Sequence, residues 1–116
     1  MSGKTFLIIF LLIGAVFLTA CSKPDYTQFA KCVTESGAKV YGAFWCGNCK
    51  QQKAMLGDAF SEINYIECSL PDGQSQTEFC ENENIQSYPT WEFAEGRIPG
   101  KMELSDLAQR TGCTLP

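Results

Sequence analysis

The sequence predicts a single α/β domain in which four strands form one sheet flanked by helices. The chain has 116 residues, of which 45% are hydrophobic, and this length suits one domain with its own core. Short aromatic and β-branched runs alternate with amphipathic stretches in the order helix, then β-α-β-α-β-β-α. Apolar and aromatic residues are too plentiful for a disordered chain.

The first helix is predicted from four apolar residues that recur at i, i+3, i+4 and i+7 and share one helix face. These residues are Tyr26, Phe29, Ala30 and Val33. Gly37 ends this helix. Residues 38–45 then form a short apolar, aromatic run of strand character, and residues 46–60 are predicted to be the next helix. Its expected buried stripe consists of Met55, Ala59, Phe60 and Ile63.

The middle of the chain is predicted to hold a short strand, a turn and a short helix. Residues 65–68 form the strand. The Pro-Asp-Gly sequence at 71–73 forms the turn, because each of these residue types favours turn geometry. Residues 76–82 form the short helix, whose acidic side chains are most simply a solvated face.

Two further strands are predicted near the C-terminus. Residues 90–94 form one, with Trp91 and Phe93 on the same face and therefore in the core. Residues 97–102 form a weaker strand. Pro99 places that strand at the edge of the sheet, because proline has no backbone N–H to donate to a neighbour.

The last helix is expected to begin at a Ser105 cap and to run through Arg110, where Gly112 ends it. Phe44, from the first strand, is expected to join the tryptophan and phenylalanine of the third strand in the core. Together with the loops between them, these elements make up the rest of the chain, residues 26–116.

Charge and composition exclude several classes of function. The chain carries 9 basic and 13 acidic residues, for a net charge of −4, and the basic residues are scattered, so no nucleic-acid surface is expected. The absence of histidine excludes Ser-His-Asp triads, histidine general bases and histidine-ligated metal sites. Seven cysteines point instead to thiol chemistry, a disulfide scaffold or a cysteine metal site.

Residues 1–20 are typical of an export signal. Lys4 supplies the positive start, and residues 6–18 are an almost unbroken apolar stretch, too short to span a bilayer comfortably. The Leu-Thr-Ala-Cys sequence at 18–21 resembles a bacterial lipobox, which implies that Cys21 is lipidated and becomes the first residue of the mature chain. The alternatives are an uncleaved membrane anchor, or plain secretion with an incidental Cys21.

These features predict where the protein works. Cys21 and the residues up to 25 form a lipidated cysteine and short tether, and residues 26–116 form the domain. The domain is then anchored in the cell envelope and faces the periplasm or the cell exterior. Ser22 follows the cysteine, and by resemblance to enterobacterial sorting rules this favours the outer membrane. Six further cysteines in an oxidising compartment suggest disulfides.

The motif that carries chemistry is Cys46-Gly47-Asn48-Cys49, which follows Trp45 at the end of a strand and opens a helix. Helix N-terminal N–H groups favour an anion, and the thiolate is the attacking species in disulfide exchange. Cys46 is therefore the expected exposed nucleophile, and Cys49 is expected to resolve the mixed disulfide. A structural bridge and half of a zinc site are the alternatives, although the sequence offers no second close pair for zinc. We expect neither a metal nor a cofactor.

A second signature is Tyr88-Pro89-Thr90, just ahead of the Trp91 strand. Combined with the CxxC motif and the order of elements, it resembles the thioredoxin superfamily, which implies a thioredoxin-like fold with a central four-stranded mixed sheet. The resemblance also implies that Pro89 is cis and that Tyr88 offers its backbone to substrate in an added-strand mode. The alternative is an ordinary trans proline that starts a strand. The expected substrate-binding residues are Trp45, Gly47, Asn48, Tyr88 and Pro89.

The resemblance narrows to one subfamily on four segments. They are Phe-Ala-Lys-Cys at 29–32, Tyr-Gly-Ala-Phe-Trp-Cys at 41–46, Tyr-Pro-Thr-Trp-Glu-Phe at 88–93 and Gly-Cys at 112–113. They are similar to the thioredoxin-like domain fused to bacterial and plant vitamin K epoxide reductase homologues, and to its free-standing relatives, over about residues 26–116. This implies a domain that oxidises substrate thiols and passes electrons to a membrane enzyme and then to quinone.

Two positions depart from the family pattern. Asn48 replaces the His or Pro that usually precedes the second cysteine, so no imidazolium stabilises the Cys46 thiolate and a very oxidising potential is not expected. The strand before the motif has Val40 and Tyr41 where typical thioredoxins bury an acid. That strand therefore offers no proton acceptor to Cys49.

The other four cysteines are expected to form two pairs. Cys68 ends a strand and Cys80 lies on the next helix, and the related fused domains carry a second pair similarly placed. This pair has a structural role or a redox-relay role, with neither favoured. Cys32 and Cys113 would join the first helix to the C-terminus as a structural disulfide, which suits a domain with a small core.

The sequence thus predicts a lipid-anchored thiol–disulfide oxidoreductase that acts on protein thiols and disulfides outside the cytoplasm. Its direction stays open. It is either an oxidase, reoxidised by a quinone-linked membrane enzyme similar to vitamin K epoxide reductase, or a reductase or isomerase fed by a membrane electron carrier. The alternative from another class is a disulfide-stapled binding lipoprotein whose CxxC motif is inert.

Overall fold

The computed structural model describes residues 22–116. The predicted signal peptide and the predicted lipidation of Cys21 lie outside the described residues. Within the described part, the order of helices and strands is the one that the sequence predicts. None of the helices described there has the length and apolar character needed to cross a membrane.

The elements follow the predicted order, but several are shorter than predicted. In chain order they are α1 (Thr27–Glu35), β1 (Lys39–Gly42), α2 (Gly47–Leu56), a 3₁₀ segment (Gly57–Glu62), β2 (Tyr65–Glu67), α3 (Glu78–Asn82), β3 (Thr90–Phe93), β4 (Gly96–Pro99) and α4 (Leu104–Thr111). The first strand ends three residues before the predicted end at Trp45, so the residues just before the CxxC motif form a loop.

The four strands form one mixed sheet in the order β2-β1-β3-β4, which confirms the predicted fold class. Strand β1 pairs in parallel with β2 and antiparallel with β3, and β3 pairs antiparallel with β4. Gly42 at the end of β1 lies opposite Glu67 in β2. Strand β4 lies at the edge, as Pro99 predicted.

Alternation along β1 separates two of the three buried clusters, and Ala43 with Cys46 and Cys49 forms the third beyond the end of the strand. Val40 points into the main core, where Trp91 and Phe93 stack with ring centroids 6.0 Å apart. Helices α1 and α4 add buried side chains to this core. Tyr41 points to the other face, where it packs with the Cys68–Cys80 pair and Ile85.

The helix after the CxxC motif departs from the prediction. The α-helix ends at Leu56, because Gly57 adopts a positive φ of 58°, and the chain continues as a 3₁₀ segment with about three residues per turn. This change of period rotates the buried face. Met55 and Phe60 are only half-buried, whereas Gln52 and Leu56 face inward. Ala59 and Ile63 are buried as predicted.

The predicted start of the last helix is wrong. Helix α4 begins at Leu104, with Glu103 in the N-cap position, so Ser105 lies inside the first turn and does not cap it. Glu103 makes no side-chain capping bond, and tertiary packing of Leu107 decides where the helix begins. Gly112 ends the helix in the left-handed region at φ 72°, as predicted.

Candidate functional site

Cys46 occupies the N-cap position of α2. Its backbone is extended there, and its Sγ accepts the amide N–H of Cys49 at 3.2 Å. The first turn of a helix has backbone N–H groups without intrahelical partners, and a sulfur at this point receives one of them. Cys46 Sγ therefore lies at the N-terminus of α2 and accepts a backbone N–H that has no partner within the helix.

Cys49 lies one turn further along α2 and is almost completely buried. Burial raises the pKa of the Cys49 thiol to about 12, and its hydrogen bond with Cys46 acts in the same direction. The backbone of Ala43 and the charge of Lys53 oppose this shift only in part. Cys49 is therefore a protonated thiol at neutral pH, as a resolving cysteine is before its turn to react.

The expectation that Cys46 is exposed is wrong. Only 8% of its surface is accessible, compared with 2% for Cys49, so it is the more accessible of the two but not open. The reason is that Tyr88 packs against the cluster that the two cysteines form with Ala43. The accessible 8% of Cys46 is the opening through which a substrate would reach its sulfur.

The Tyr88–Pro89 peptide bond is cis. The Cys46 thiol donates to the Tyr88 carbonyl oxygen at 3.5 Å, which brings the loop before β3 directly against the CxxC motif. The loop is held on both sides. Gln76 Nε2 donates to the Tyr88 hydroxyl at 2.7 Å, and the Gly100 amide donates to the Pro89 carbonyl at 2.7 Å.

Two exposed aromatic residues, Phe44 and Trp45, directly precede Cys46 in the chain. The Trp45 side chain is half-exposed, its Nε1 donates to Ser69 Oγ at 2.9 Å, and its ring meets the edge of Tyr88 with centroids 5.9 Å apart. Phe44, which the sequence placed in the core, is 46% exposed because it follows the end of β1 and no longer alternates with it. Gly47 and Asn48 are exposed on the first turn of α2. The five expected substrate-binding residues and the two central cysteines therefore lie together.

The other four cysteines form two disulfides in the pairs that the sequence led us to expect. Cys32 joins Cys113 across 81 residues, and Cys68 joins Cys80 across 12. Both sulfurs of the Cys68–Cys80 pair belong to residues with no accessible surface. A thiolate cannot reach them without local opening, which favours a structural role over a relay. In residues 22–116 no three metal-ligating side chains of the His, Cys, Asp or Glu type converge.

The buried Gln52 side chain, which the sequence analysis missed, connects the helix of the CxxC motif to the rest of the core. Gln52 Oε1 accepts from Trp91 Nε1 at 3.1 Å and from the Met102 amide at 2.7 Å, and its Nε2 donates to the Met102 carbonyl at 3.0 Å. These bonds join α2, which carries Cys49 and is capped by Cys46, to β3 and the segment before α4. Gln52 could have been predicted to face inward, because it lies three residues after Cys49 and residues at i and i+3 share a helix face.

Two polar residues of β2 were also missed. Tyr65 and Glu67 lie two residues apart and so share one face of the strand, and the Tyr65 hydroxyl donates to Glu67 Oε2 at 3.3 Å. A Tyr-Ile-Glu sequence in a short strand shows this alternation. The sequence could not show that the pair faces Cys49, because that depends on how β2 lies against β1.

Comparison with known proteins matches residues 23–109 to the thioredoxin family model. The chain is 39% identical over 103 residues to the thiol-disulfide oxidoreductase LTO1 of Arabidopsis thaliana. That alignment covers 84% of this chain and 27% of LTO1, so the chain spans about a quarter of this relative's length. The crystal structure of mitochondrial thioredoxin 3 from Saccharomyces cerevisiae, in its oxidized form, superposes with a TM-score of 0.42 at 18% identity. It covers 78% of this chain and 91% of the yeast chain.

Proposed function

Since the chain belongs to the thioredoxin family, we propose that it is an extracytoplasmic, lipid-anchored thiol–disulfide oxidoreductase that uses the Cys46–Cys49 dithiol. One observation carries the proposal. Cys46 Sγ lies at the start of α2, accepts the Cys49 amide and faces the Tyr88 carbonyl, so nucleophile, resolving thiol and peptide backbone meet at one point. The Arabidopsis relative is a thiol-disulfide oxidoreductase by name, which supports the same reaction class.

The reaction is exchange of a disulfide between this chain and a substrate. In the reducing direction Cys46 attacks a substrate sulfur, the substrate disulfide breaks, and a mixed disulfide forms. Cys49 then attacks Cys46 Sγ, which releases the second substrate sulfur as a thiol and leaves the Cys46–Cys49 disulfide. Two electrons pass to the substrate. In the oxidising direction the same steps run in reverse.

The substrates that we propose are extended segments of other proteins that carry thiols or disulfides. An added strand would pair with the backbone of Tyr88, which lies beside the reactive sulfur. The exposed faces of Phe44 and Trp45 would contact the neighbouring side chains of such a segment. Backbone pairing and apolar contact do not depend on one particular substrate sequence. We therefore propose that the protein accepts a broad range of substrate proteins.

The lipid anchor and the cell-envelope location rest on the first 22 residues. A charged start, an apolar stretch and a lipobox-like Leu-Thr-Ala-Cys at 18–21 support both. Mass spectrometry of the protein purified from its own cells tests this proposal. A mature chain that begins at Cys21 and carries acyl groups supports it, and an unmodified chain that still begins at Met1 contradicts it.

The electron partner that we propose is a quinone-linked membrane oxidoreductase similar to vitamin K epoxide reductase. Support comes from the resemblance of residues 26–116 to the thioredoxin-like domains fused to such enzymes, and from an anchor that would hold the domain at the membrane. To test it, reduced protein is mixed with membranes from the same cells before and after extraction of quinone. Quinone-dependent oxidation of Cys46 supports the partner, and Cys46→Ser protein provides the control.

The central experiment compares three proteins in disulfide reduction and peptide oxidation: the wild type, Cys46→Ser and Cys49→Ser. We expect Cys46→Ser to abolish exchange without loss of the folded circular-dichroism spectrum. Cys49→Ser should accumulate a mixed disulfide with substrate, because the resolving thiol is gone. If the wild type exchanges no faster than the two variants, the CxxC motif is inert, and if it shows no exchange at all, the protein is a disulfide-stapled binding lipoprotein instead.

A further inference from the structure

We propose that Tyr65 and Glu67 form a proton relay for Cys49, in which Glu67 takes the thiol proton through the Tyr65 hydroxyl. The relay rests on the proposed thiol–disulfide exchange and adds the group that removes a proton from the buried cysteine. In the strand before the CxxC motif, where typical thioredoxins bury an acid, this chain has Val40 and Tyr41. In the proposed relay the acid comes from β2 instead.

Gly42 creates the meeting point of the relay. A Cβ added to Gly42 would lie 2.7 Å from Tyr65 Cε2, 3.1 Å from the Tyr65 hydroxyl oxygen and 3.2 Å from Cys49 Sγ. The hydroxyl and the thiol therefore line the same small space, which any larger residue at this position would fill. The missing side chain lets the phenol of β2 and the buried thiol of α2 line one space, and a proton would pass between them once they close to hydrogen-bond distance or across one water molecule.

The second half of the relay is the hydrogen bond from the Tyr65 hydroxyl to Glu67 Oε2 at 3.3 Å. Glu67 also accepts the Ser69 amide at 3.3 Å, and its side chain is only half-buried. A half-buried carboxylate can exchange its proton with solvent, whereas Cys49 cannot because it is sealed off. The pair thus connects an enclosed thiol to water.

The charges around the relay favour a transient Cys49 thiolate. Lys53 on α2 lies with its Nζ 4.2 Å from the centroid of the Tyr65 ring, and its charge lowers the cost of a negative sulfur. Burial together with the charge of Glu67 raises the pKa of the Tyr65 phenol, so Tyr65 stays protonated and transfers protons without becoming an anion itself. The titratable and charged groups that face the relay are Cys46, Cys49 and Lys53 of α2, Glu67 of β2 and Tyr88 of the loop before β3.

Cys49 needs such help because its thiol holds its proton strongly. With a pKa of about 12, the thiolate is roughly one part in 10⁵ at pH 7, too little for unassisted attack to be fast. A base that takes the proton as the sulfur attacks removes this limit. General-base assistance of this kind contributes on the order of 100-fold or more to a rate.

In the reducing direction the Cys49 S–H proton passes to the Tyr65 oxygen while the Tyr65 O–H proton passes to Glu67. Cys49 Sγ attacks Cys46 Sγ, the Cys46–Cys49 bond forms, and the bond to the substrate sulfur breaks with its electron pair. The substrate thiolate takes a proton from solvent, and Glu67 returns its proton to solvent. In the oxidising direction Glu67 reprotonates the Cys49 thiolate as it leaves.

The experiment follows the two halves of exchange separately. The full chain carrying Cys21→Ser, held in detergent micelles and reduced, is mixed with a chromogenic aromatic disulfide in a stopped-flow instrument. Attack by Cys46 releases the first aromatic thiolate, and attack by Cys49 on Cys46 releases the second. Glu67→Gln and Tyr65→Phe are compared with this parent from pH 6 to pH 11, with the exposed Glu81→Gln as a matched charge control.

We expect Glu67→Gln to slow the second release on the order of 100-fold at pH 7, with the first release unchanged. Tyr65→Phe should slow it in the same direction, and Glu81→Gln should change neither release. The deficit of both relay variants should shrink as pH rises toward the Cys49 pKa of about 12, because hydroxide then removes the proton.

Two results would overturn the relay. One is an unchanged second release in both variants, and the other is an equal slowing at every pH, which indicates a merely structural role. Failure of the proposed function looks different. In that case the parent protein itself releases only one aromatic thiolate and forms no Cys46–Cys49 disulfide, as mass spectrometry would show.

Discussion

The Cys46 thiol lies 3.5 Å from the Tyr88 carbonyl oxygen, although 42 residues separate them in the chain. The contact brings the Cys46 sulfur against the backbone of the loop that precedes β3. A peptide strand that pairs with this backbone would present its own sulfur to Cys46. Recognition and chemistry would therefore share one site in the proposed function.

Trp45→Ala should raise KM for a disulfide-containing peptide about tenfold, because the half-exposed ring borders the opening at Cys46 and supplies apolar contact area. Reduction by dithiothreitol should not change, since a small dithiol does not need the ring. Steady-state kinetics with both substrates checks this. Phe79→Ala, an equally exposed aromatic on α3, is the control, and an equal effect there would contradict the assignment.

Asn48→His should make the protein more oxidising, because an imidazolium beside Cys46 stabilises its thiolate and hence the reduced form. For the wild type we expect an intermediate reduction potential, roughly −180 to −250 mV. Titration against glutathione, with alkylated thiols counted by mass, measures both proteins. A wild-type value near −120 mV would speak against the role given to Asn48, and Asn64→His, on an exposed residue away from the motif, is the control.

Gln52→Ala should lower the free energy of unfolding by about 2–4 kcal/mol, because the Trp91 Nε1–H and the Met102 amide lose their acceptor inside the core. Urea titration of the oxidised protein measures the loss. The adjacent Gln51 is exposed and accepts a hydrogen bond from the exposed Lys101, so Gln51→Ala should change stability by less than about 0.5 kcal/mol. Equal losses in the two variants would refute the bracing role.

The two structural disulfides should differ in their contribution to stability because they close loops of different length. On the chain-entropy model, removing Cys32–Cys113 by double Ser substitution costs about 4–5 kcal/mol, and removing Cys68–Cys80 costs about 3 kcal/mol. Thermal and urea unfolding of the two double variants give the comparison. If the Cys68–Cys80 variant folds but loses turnover in disulfide exchange, the result favours a redox-relay role for that pair over a structural one.

Alkaline pH should destabilise the reduced protein more than the oxidised one. The folded state holds the Cys49 proton up to a pKa of about 12, whereas an unperturbed thiol titrates near 9.0. The unfolded chain therefore binds fewer protons between these values, and the free energy of unfolding falls as pH rises through this window. Urea titrations from pH 8 to pH 11 check this, and the oxidised protein, in which Cys49 cannot titrate, is the control.

Local patterns predicted most of the fold because their causes are local. Helical spacing located α1, Gly112 marked the end of α4, and Pro99 marked an edge strand, each through the conformation or bonding of a single residue. The boundaries that failed are those where packing overrides propensity. Ser105 is a good cap by type, but the N-cap lies two residues earlier, at Glu103, and Leu107 packs in the core.

For this protein the sequence alone determined the order of elements and the CxxC motif at the start of a helix, whereas the expected cysteine pairs also drew on the resemblance to related domains. Tertiary structure alone decided how the site works. It placed Tyr88 against Cys46, made Cys49 a buried thiol and brought Tyr65 of β2 to the space beside Gly42. The physical reason is that accessibility and proton affinity depend on neighbours contributed by distant segments, which no local spacing specifies.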